Sequence, residues 1–474
     1  MGIDFVLRPD QIEDLGALIR NPRHGLWSEP GTGKTPVACL YTWWVWDRLK
    51  KHTVWLQPLA IIEKNREELL LWTDFKEHEV VIVEGTPAQR ARLYADPNIK
   101  VFLMGADTFG REWEQILAHH PVGLVVGDEW HKMFSTNDSK RTQALYQAMK
   151  HIDRLTPMTG TLVRGRLNSA FPAIHLIQPR YYGHHRTFMN RHAIQDEYGK
   201  VIGWVKIDIV QEILRAHGQN RLYSEVYGDI PVVFQTHYCK MSTAQSKAYK
   251  EFEEKAILEL EGAFLDGSLP GVNLIRARQI LSSPEIFGLC KGEMTGRDAL
   301  LDIQMTDHLE MGTPWMIGSA SVPEQERVAA YLEKNGMRVG LMNGETPRKE
   351  RGAIDLAFRK RELDTVVVSP EVGSIGFNWG HCDHVSFLHL PYYHDDFDQF
   401  WKRCTRGQIR TTPVRVDTLV YEDTVEEGVV GIIVGKMVLS KEVDPTRQVV
   451  NLHARKPIFR GIEERVLKTM EASL

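Results

Sequence analysis

The sequence is poor in cysteine: it has five in 474 residues, at Cys39, Cys239, Cys290, Cys382 and Cys404, scattered and with no C-x-x-C pair. That pattern excludes a disulfide scaffold and a cysteine zinc site, and it fits a reducing cytoplasm. Long apolar runs are missing too. The best stretch, Gly428 to Gly435, follows Glu426 and Glu427 and falls well short of the roughly 18 residues a membrane span needs. The opening MGIDFVLRPDQ has no basic region leading into an apolar core, so no secretion signal is expected there and no membrane partner is implied. Nor is there an excess of one charge. Lys+Arg 58 against Asp+Glu 62 gives a formal net charge of -4, so no global basic field announces a nucleic-acid partner. A local basic groove stays open.

What is present is ordinary for a globular chain: 43% hydrophobic and 25% charged residues, with room for about three domains. Two stretches alternate short apolar runs with longer mixed segments. The first has runs at Thr53–Gln57, Val80–Val83, Val101–Met104, Gly123–Val126 and Arg154–Met158. The second has them at Trp315–Gly318, Val339–Met342, Thr365–Ser369, His384–Leu390 and Val414–Tyr421. Continuous apolar runs of this length suit parallel strands covered on both faces, so the pattern predicts an α/β fold with two doubly wound parallel sheets. The middle differs in composition and reads as a mostly helical insertion. The expected division is 1–178 for the first lobe, 179–284 for the insertion, 285–444 for the second lobe and 445–474 for a basic tail.

The sharpest chemical signal is Ser28-Glu29-Pro30-Gly31-Thr32-Gly33-Lys34-Thr35. Phosphate oxygens need many donors at close range, and glycines let backbone N–H groups approach without a Cβ in the way. Gly31, Thr32 and Gly33 would cradle the phosphates of ATP, Lys34 would reach the β- and γ-phosphates, and Thr35 would ligate Mg²⁺. Ser28 stands where such loops usually have Gly. The second signal is the apolar strand Gly123–Gly127 ending in Asp128 and Glu129. It delivers two carboxylates to the ligand-binding edge of the sheet, where Asp128 would hold Mg²⁺ and Glu129 would activate the attacking water. Together the two signals spell an ATPase. The third is Gln399 to Gln408, where Arg403 and Arg406 share a helix face and would stabilise charge on the transferred phosphoryl group.

The order of these motifs resembles the superfamily 2 helicase-like motors, specifically the Swi/Snf-type double-strand DNA translocases, over nearly the whole chain. The branch-specific marks are Asp423-Thr424-Val425-Glu426-Glu427 and the passage Ile230-Pro231 … Met241-Ser242-Thr243-Ala244-Gln245 with Tyr249. The resemblance implies RecA-like lobes, with Gln11 as the adenine ligand and Gly376 as a further nucleotide contact. It also implies DNA contacts at Pro58, Thr108, Thr159 and Asn378. The nearest likeness is to compact fork-remodelling motors and phage branch-migration helicases, and the implied partner is double-stranded or branched DNA in the cytoplasm. The rival readings are an unwinding helicase that tracks single-stranded DNA or RNA, and a nucleotide-gated scaffold for replication or recombination partners. His184-His185-Arg186 reads as a surface or DNA-facing loop, because no carboxylate or cysteine stands at ligand spacing. Trp43, Trp44 and Trp46 read as helix packing.

Overall fold

Each apolar run becomes a parallel strand because helices cover both faces of its sheet. The computed structural model describes residues 6–160, 163, 166–228, 231–252, 270–288, 295–373, 377–391, 394–405, 412–431 and 433. They fall into two units, one reaching residue 228 and the other beginning at residue 231.

The first unit holds β1 (Gly25–Leu26), β2 (His52–Leu56), β3 (Val80–Ile82), β4 (Val101–Met104), β5 (Val122–Asp128), β6 (Arg154–Met158) and β9 (Gly218–Gln219). They form one parallel sheet in the order β3-β4-β2-β5-β6-β1-β9. Alternation on β5 explains its unbroken apolarity. Leu124 and Val126 pack with Val37, Tyr41 and Val45 of helix Lys34–Leu49, whereas Val122 and Val125 pack with Phe109 and Ile116 on the other face. Trp43, Trp44 and Trp46 lie partly buried on that first helix, as packing rather than display. A separate antiparallel ribbon, β7 (Ala193–Gln195) and β8 (Val201–Trp204), belongs to the same unit.

The second unit holds β10 (Val232–Cys239), β11 (Trp315–Ser319), β12 (Val339–Met342), β13 (Thr365–Val368), β14 (His384–His389) and β15 (Val414–Tyr421). These too are all parallel, in the order β10-β15-β14-β11-β13-β12. On β13, Val366 and Val368 enter one core and Val367 the other.

The segment 179–284, expected as a mostly helical insertion, also supplies strands. Its first part carries β9, an edge strand of the first sheet, and its second part carries β10, which pairs with β15 from Val232↔Val414 to Cys239↔Tyr421. Composition alone hid this, because a strand that completes a sheet begun 193 residues earlier, the separation of Gly218 from its partner Gly25, has no local partner to reveal it. The expected basic tail lies outside the described residues. Among the described residues, no helix is long and apolar enough to cross a membrane. Cys39, Cys239, Cys382 and Cys404 are all buried.

Candidate active site

The glycine loop joins β1 to helix Lys34–Leu49 at the carboxyl end of the first sheet. Gly31 and Gly33 have φ of +87° and +90°, a region that L side chains avoid. A Cβ on Gly33 would also lie 2.4 Å from Nε2 of Gln11. The Lys34 ammonium turns into the curl of the loop, donating to the carbonyls of Ser28 at 2.6 Å and Glu29 at 3.0 Å. Its charge thus sits where a phosphate oxygen would meet it, at the positive end of a sixteen-residue helix.

Two flanking segments fix this loop. On one side, Gln11 accepts the Arg8 N–H at 3.0 Å and donates to the Gly33 carbonyl at 3.0 Å, while the Arg8 guanidinium donates to the Thr32 carbonyl. The expected adenine ligand is thus engaged in holding the loop. On the other side, the Arg221 N–H donates to Ser28 Oγ at 3.1 Å, and Glu29 takes the Tyr223 N–H at 2.8 Å on Oε2. The Arg221 guanidinium bonds Asp14 and Glu13 of helix Pro9–Arg20. The serine that replaces the usual glycine therefore pins the loop to the chain that follows β9.

The acidic pair ends β5. Asp128 accepts from Asn65 Nδ2 at 2.7 Å and from the Glu129 N–H at 3.0 Å. Burial, and then the neighbouring Glu129 charge, push the Asp128 carboxyl up to about 6; Asn65 and Lys34 act against them. A cation at this carboxylate would offset that cost, and the oxygen donors of Asp128 and Thr35 suit Mg²⁺. Glu129 has φ +51°, a left-handed backbone that costs a non-glycine residue about 1–3 kcal/mol and persists only where its surroundings enforce it. His131 follows two residues later. Its Nδ1 lies 2.7 Å from Thr159 Oγ1 and 3.6 Å from Glu129 Oε2, linking the acidic pair to the end of β6. Within one unit, then, Lys34, Thr35, Asp128 and Glu129 gather at one sheet edge. They can bind a polyphosphate, hold its metal and activate water.

Two of the expected site residues are buried. Thr159 is 1% exposed, with its Oγ1 2.7 Å from His131 Nδ1. Arg403, expected to reach a phosphate, is also 1% exposed; its Nη1 donates to the Phe377 carbonyl and its own carbonyl takes the Trp379 N–H. It braces the segment that precedes β14. Arg406 and Gly376 lie outside the described residues. Pro58 and Thr108 are half-buried beyond the carboxyl ends of β2 and β4, on the same edge as Asp128, whereas Asn378 is exposed in the second unit.

The branch-specific marks turn out to be structural. Gln245 donates to the carbonyls of Ile280 and Leu281, and the Tyr249 hydroxyl takes the Val425 N–H at 2.9 Å. Beside it Glu426 pairs with buried Arg297 at 2.5 Å, and Arg297 pairs with Glu324 at 2.8 Å and lies over the Tyr421 ring. Arg8, Asn65 and Arg221 were not legible as site residues. Only Asn65 gave a hint, as a polar residue on the buried face of helix Ile62–Trp72.

Comparison with known proteins shows the family. The SNF2-related domain model matches residues 20–282, more than half of the chain, and the helicase conserved C-terminal domain model matches residues 298–408. The chain is 25% identical to Chromodomain-helicase-DNA-binding protein 1-like of Danio rerio over 92% of its length, and spans 44% of that relative. A 75-residue stretch is 35% identical to the ATP-dependent RNA helicase RhlB of Xanthomonas axonopodis, covering 15% of this chain and 12% of that protein. Among solved structures, the Pyrococcus furiosus Hef helicase domain shares the fold, with TM-score 0.54 and 14% identity over 90% of this chain and 99% of that one. The Sulfolobus solfataricus SWI2/SNF2 ATPase core in complex with dsDNA aligns at TM-score 0.43 and 18% identity, over 95% and 98% of the two chains. The chain belongs to the SNF2-related family of helicase-type ATPases.

Proposed function

We propose that the chain hydrolyses ATP to move along double-stranded DNA and so remodels forks or junctions by branch migration. The observation that carries this is the convergence of Lys34, Asp128, Glu129 and the His131–Thr159 link at one sheet edge of an SNF2-related chain. ATP would bind through the glycine loop, and magnesium through Thr35 and Asp128. Glu129 would orient and deprotonate the attacking water, and Arg406 would complete the charge stabilisation. The His131–Thr159 bond would couple hydrolysis to motion, because it joins the segment of the water-activating acid to the end of a different strand. Repeated closure of two lobes on one strand would step the motor along the backbone, with little base readout.

The test is ATP hydrolysis at fixed low salt without nucleic acid and then with single-stranded DNA, linear duplex, a fork, a four-way junction and RNA. Lys34→Ala is the control. Stimulation by duplex, and more by forks or junctions, is the expected result. The short likeness to an RNA helicase favours a second reading, a single-strand tracker, which preferential stimulation by RNA or single strands would establish. A flat response would leave only a nucleotide-gated scaffold.

A further inference from the structure

The β7–β8 ribbon takes no part in either parallel sheet, yet it is firmly built. Two strands alone are marginal in water, so such a ribbon needs anchoring. Buried His192 supplies it, with Nδ1 3.0 Å from the Val205 carbonyl and Nε2 2.7 Å from the Tyr182 hydroxyl; Val205 N–H returns a bond to the His192 carbonyl at 2.8 Å. Phe188 and Tyr182 are buried beneath it. The turn is equally fixed. Asp196 Oδ1 accepts the N–H groups of Tyr198 at 3.0 Å and Lys200 at 2.9 Å, and Gly199 takes φ +79°.

This rigid scaffold displays apolar groups outward. Tyr198 at the tip is 86% exposed, and the ribbon adds Ile202 at 56% and Ile194 at 43%. Ile202 projects at a bulge, since the register passes from Ile194↔Gly203 to Gln195↔Val201. Near the base, Tyr181 is 44% exposed with Arg191 over its ring at 5.6 Å. The charge around these rings is positive. Residues 180–206 carry Arg180, Arg186, Arg191, Lys200 and Lys206 against Asp196 and Glu197, in a chain whose net charge is -4. Of the two acids, Asp196 is committed to its own turn.

We propose that this ribbon is a contact for unpaired bases of branched DNA: Tyr198 stacks on a base released at a fork or junction while the neighbouring cations meet the phosphates. The inference rests on the DNA-motor reading and deepens it, because it supplies the preference for branches that backbone gripping lacks. Flat aromatic faces accept any base, but only one that has left the stack; a blunt duplex offers none along its length. Positive charge selects nucleic acid over an acid-poor protein surface.

The experiment measures binding of the full chain, at fixed low salt, to a labelled fork with single-stranded arms and to a blunt duplex of equal length. Tyr198→Ala should weaken fork binding about tenfold and leave duplex binding unchanged. Tyr198→Trp should retain the fork preference. An unchanged thermal midpoint verifies folding, as expected at so exposed a position. Equal fork binding by wild type and Tyr198→Ala would overturn the proposal, as would an equal loss on both DNAs; either result would turn the ribbon into a protein-docking or general backbone surface. If instead wild-type ATPase ignores every DNA in the panel, the motor reading itself has failed.

Discussion

The two units share one architecture, a parallel sheet buried on both faces, but they use their polar residues in opposite ways. In the first, Lys34, Asp128, Glu129 and His131 collect at the carboxyl edge of the strands, where loops leave groups able to meet a ligand. In the second, the equally recognisable Gln245, Tyr249 and Glu426 point inward and bind the carbonyls of Ile280 and Leu281, the Val425 N–H and buried Arg297. A motif is therefore not a synonym for a reacting group. In this chain some of the marks gather at a sheet edge, and others hold buried segments of the second unit together.

That contrast can be broken by substitution. Glu129→Gln should lower turnover about a thousandfold while nucleotide still binds, read from steady-state hydrolysis beside a nucleotide-binding titration. Retained turnover would remove Glu129 from the chemistry. Arg297→Ala should act on stability, leaving Glu324 and Glu426 as buried unpaired charges at a cost of about 3–5 kcal/mol, seen as early unfolding of the second unit in denaturant. A next effect depends on pH. Because the folded protein raises the Asp128 carboxyl to about 6, this group takes up a proton as pH falls through that value. Magnesium-dependent nucleotide binding should then weaken by about tenfold per pH unit below 6, in a magnesium titration at several pH values. The same shift acts on folding with the opposite sign. Since the folded value exceeds the ordinary one, this group's contribution to stability declines as pH rises from about 4 to 6. Thr159→Val should cut the nucleic-acid stimulation of hydrolysis about tenfold and spare the rate measured without nucleic acid, because it removes the hydroxyl that meets His131. The smallest change is Tyr249→Phe, which deletes one buried hydrogen bond to Val425 N–H and should cost about 1–3 kcal/mol of second-unit stability, with hydrolysis by the remaining folded protein unaltered.

How far the chain could be read in advance follows from the same contrast. All ten apolar runs are strands, since burial on both faces writes itself into a continuous stretch of residues. β1 and β9 escaped because two residues carry no period, and β10 because its partner β15 lies far along the chain. At the site, the glycine loop and the acidic pair were visible, because phosphate and metal chemistry demand particular residues at particular spacings. Arg8 and Arg221 were not, since any residue that the fold brings to the loop could have served. The burial of Arg403 was hidden for the same reason: a cation on a helix face shows its spacing but not whether that face is inside.

The strap across the glycine loop also sets a timetable. Ser28 waits for Arg221, and β1 waits for β9, so the nucleotide site is fastened by chain made almost two hundred residues later. On a ribosome, the phosphate-binding loop would emerge early and remain unfinished until the edge strand arrived. Contacts so distant in sequence close slowly. A nascent chain halted after β6 would carry every residue of the loop and still lack the clasp that shapes it.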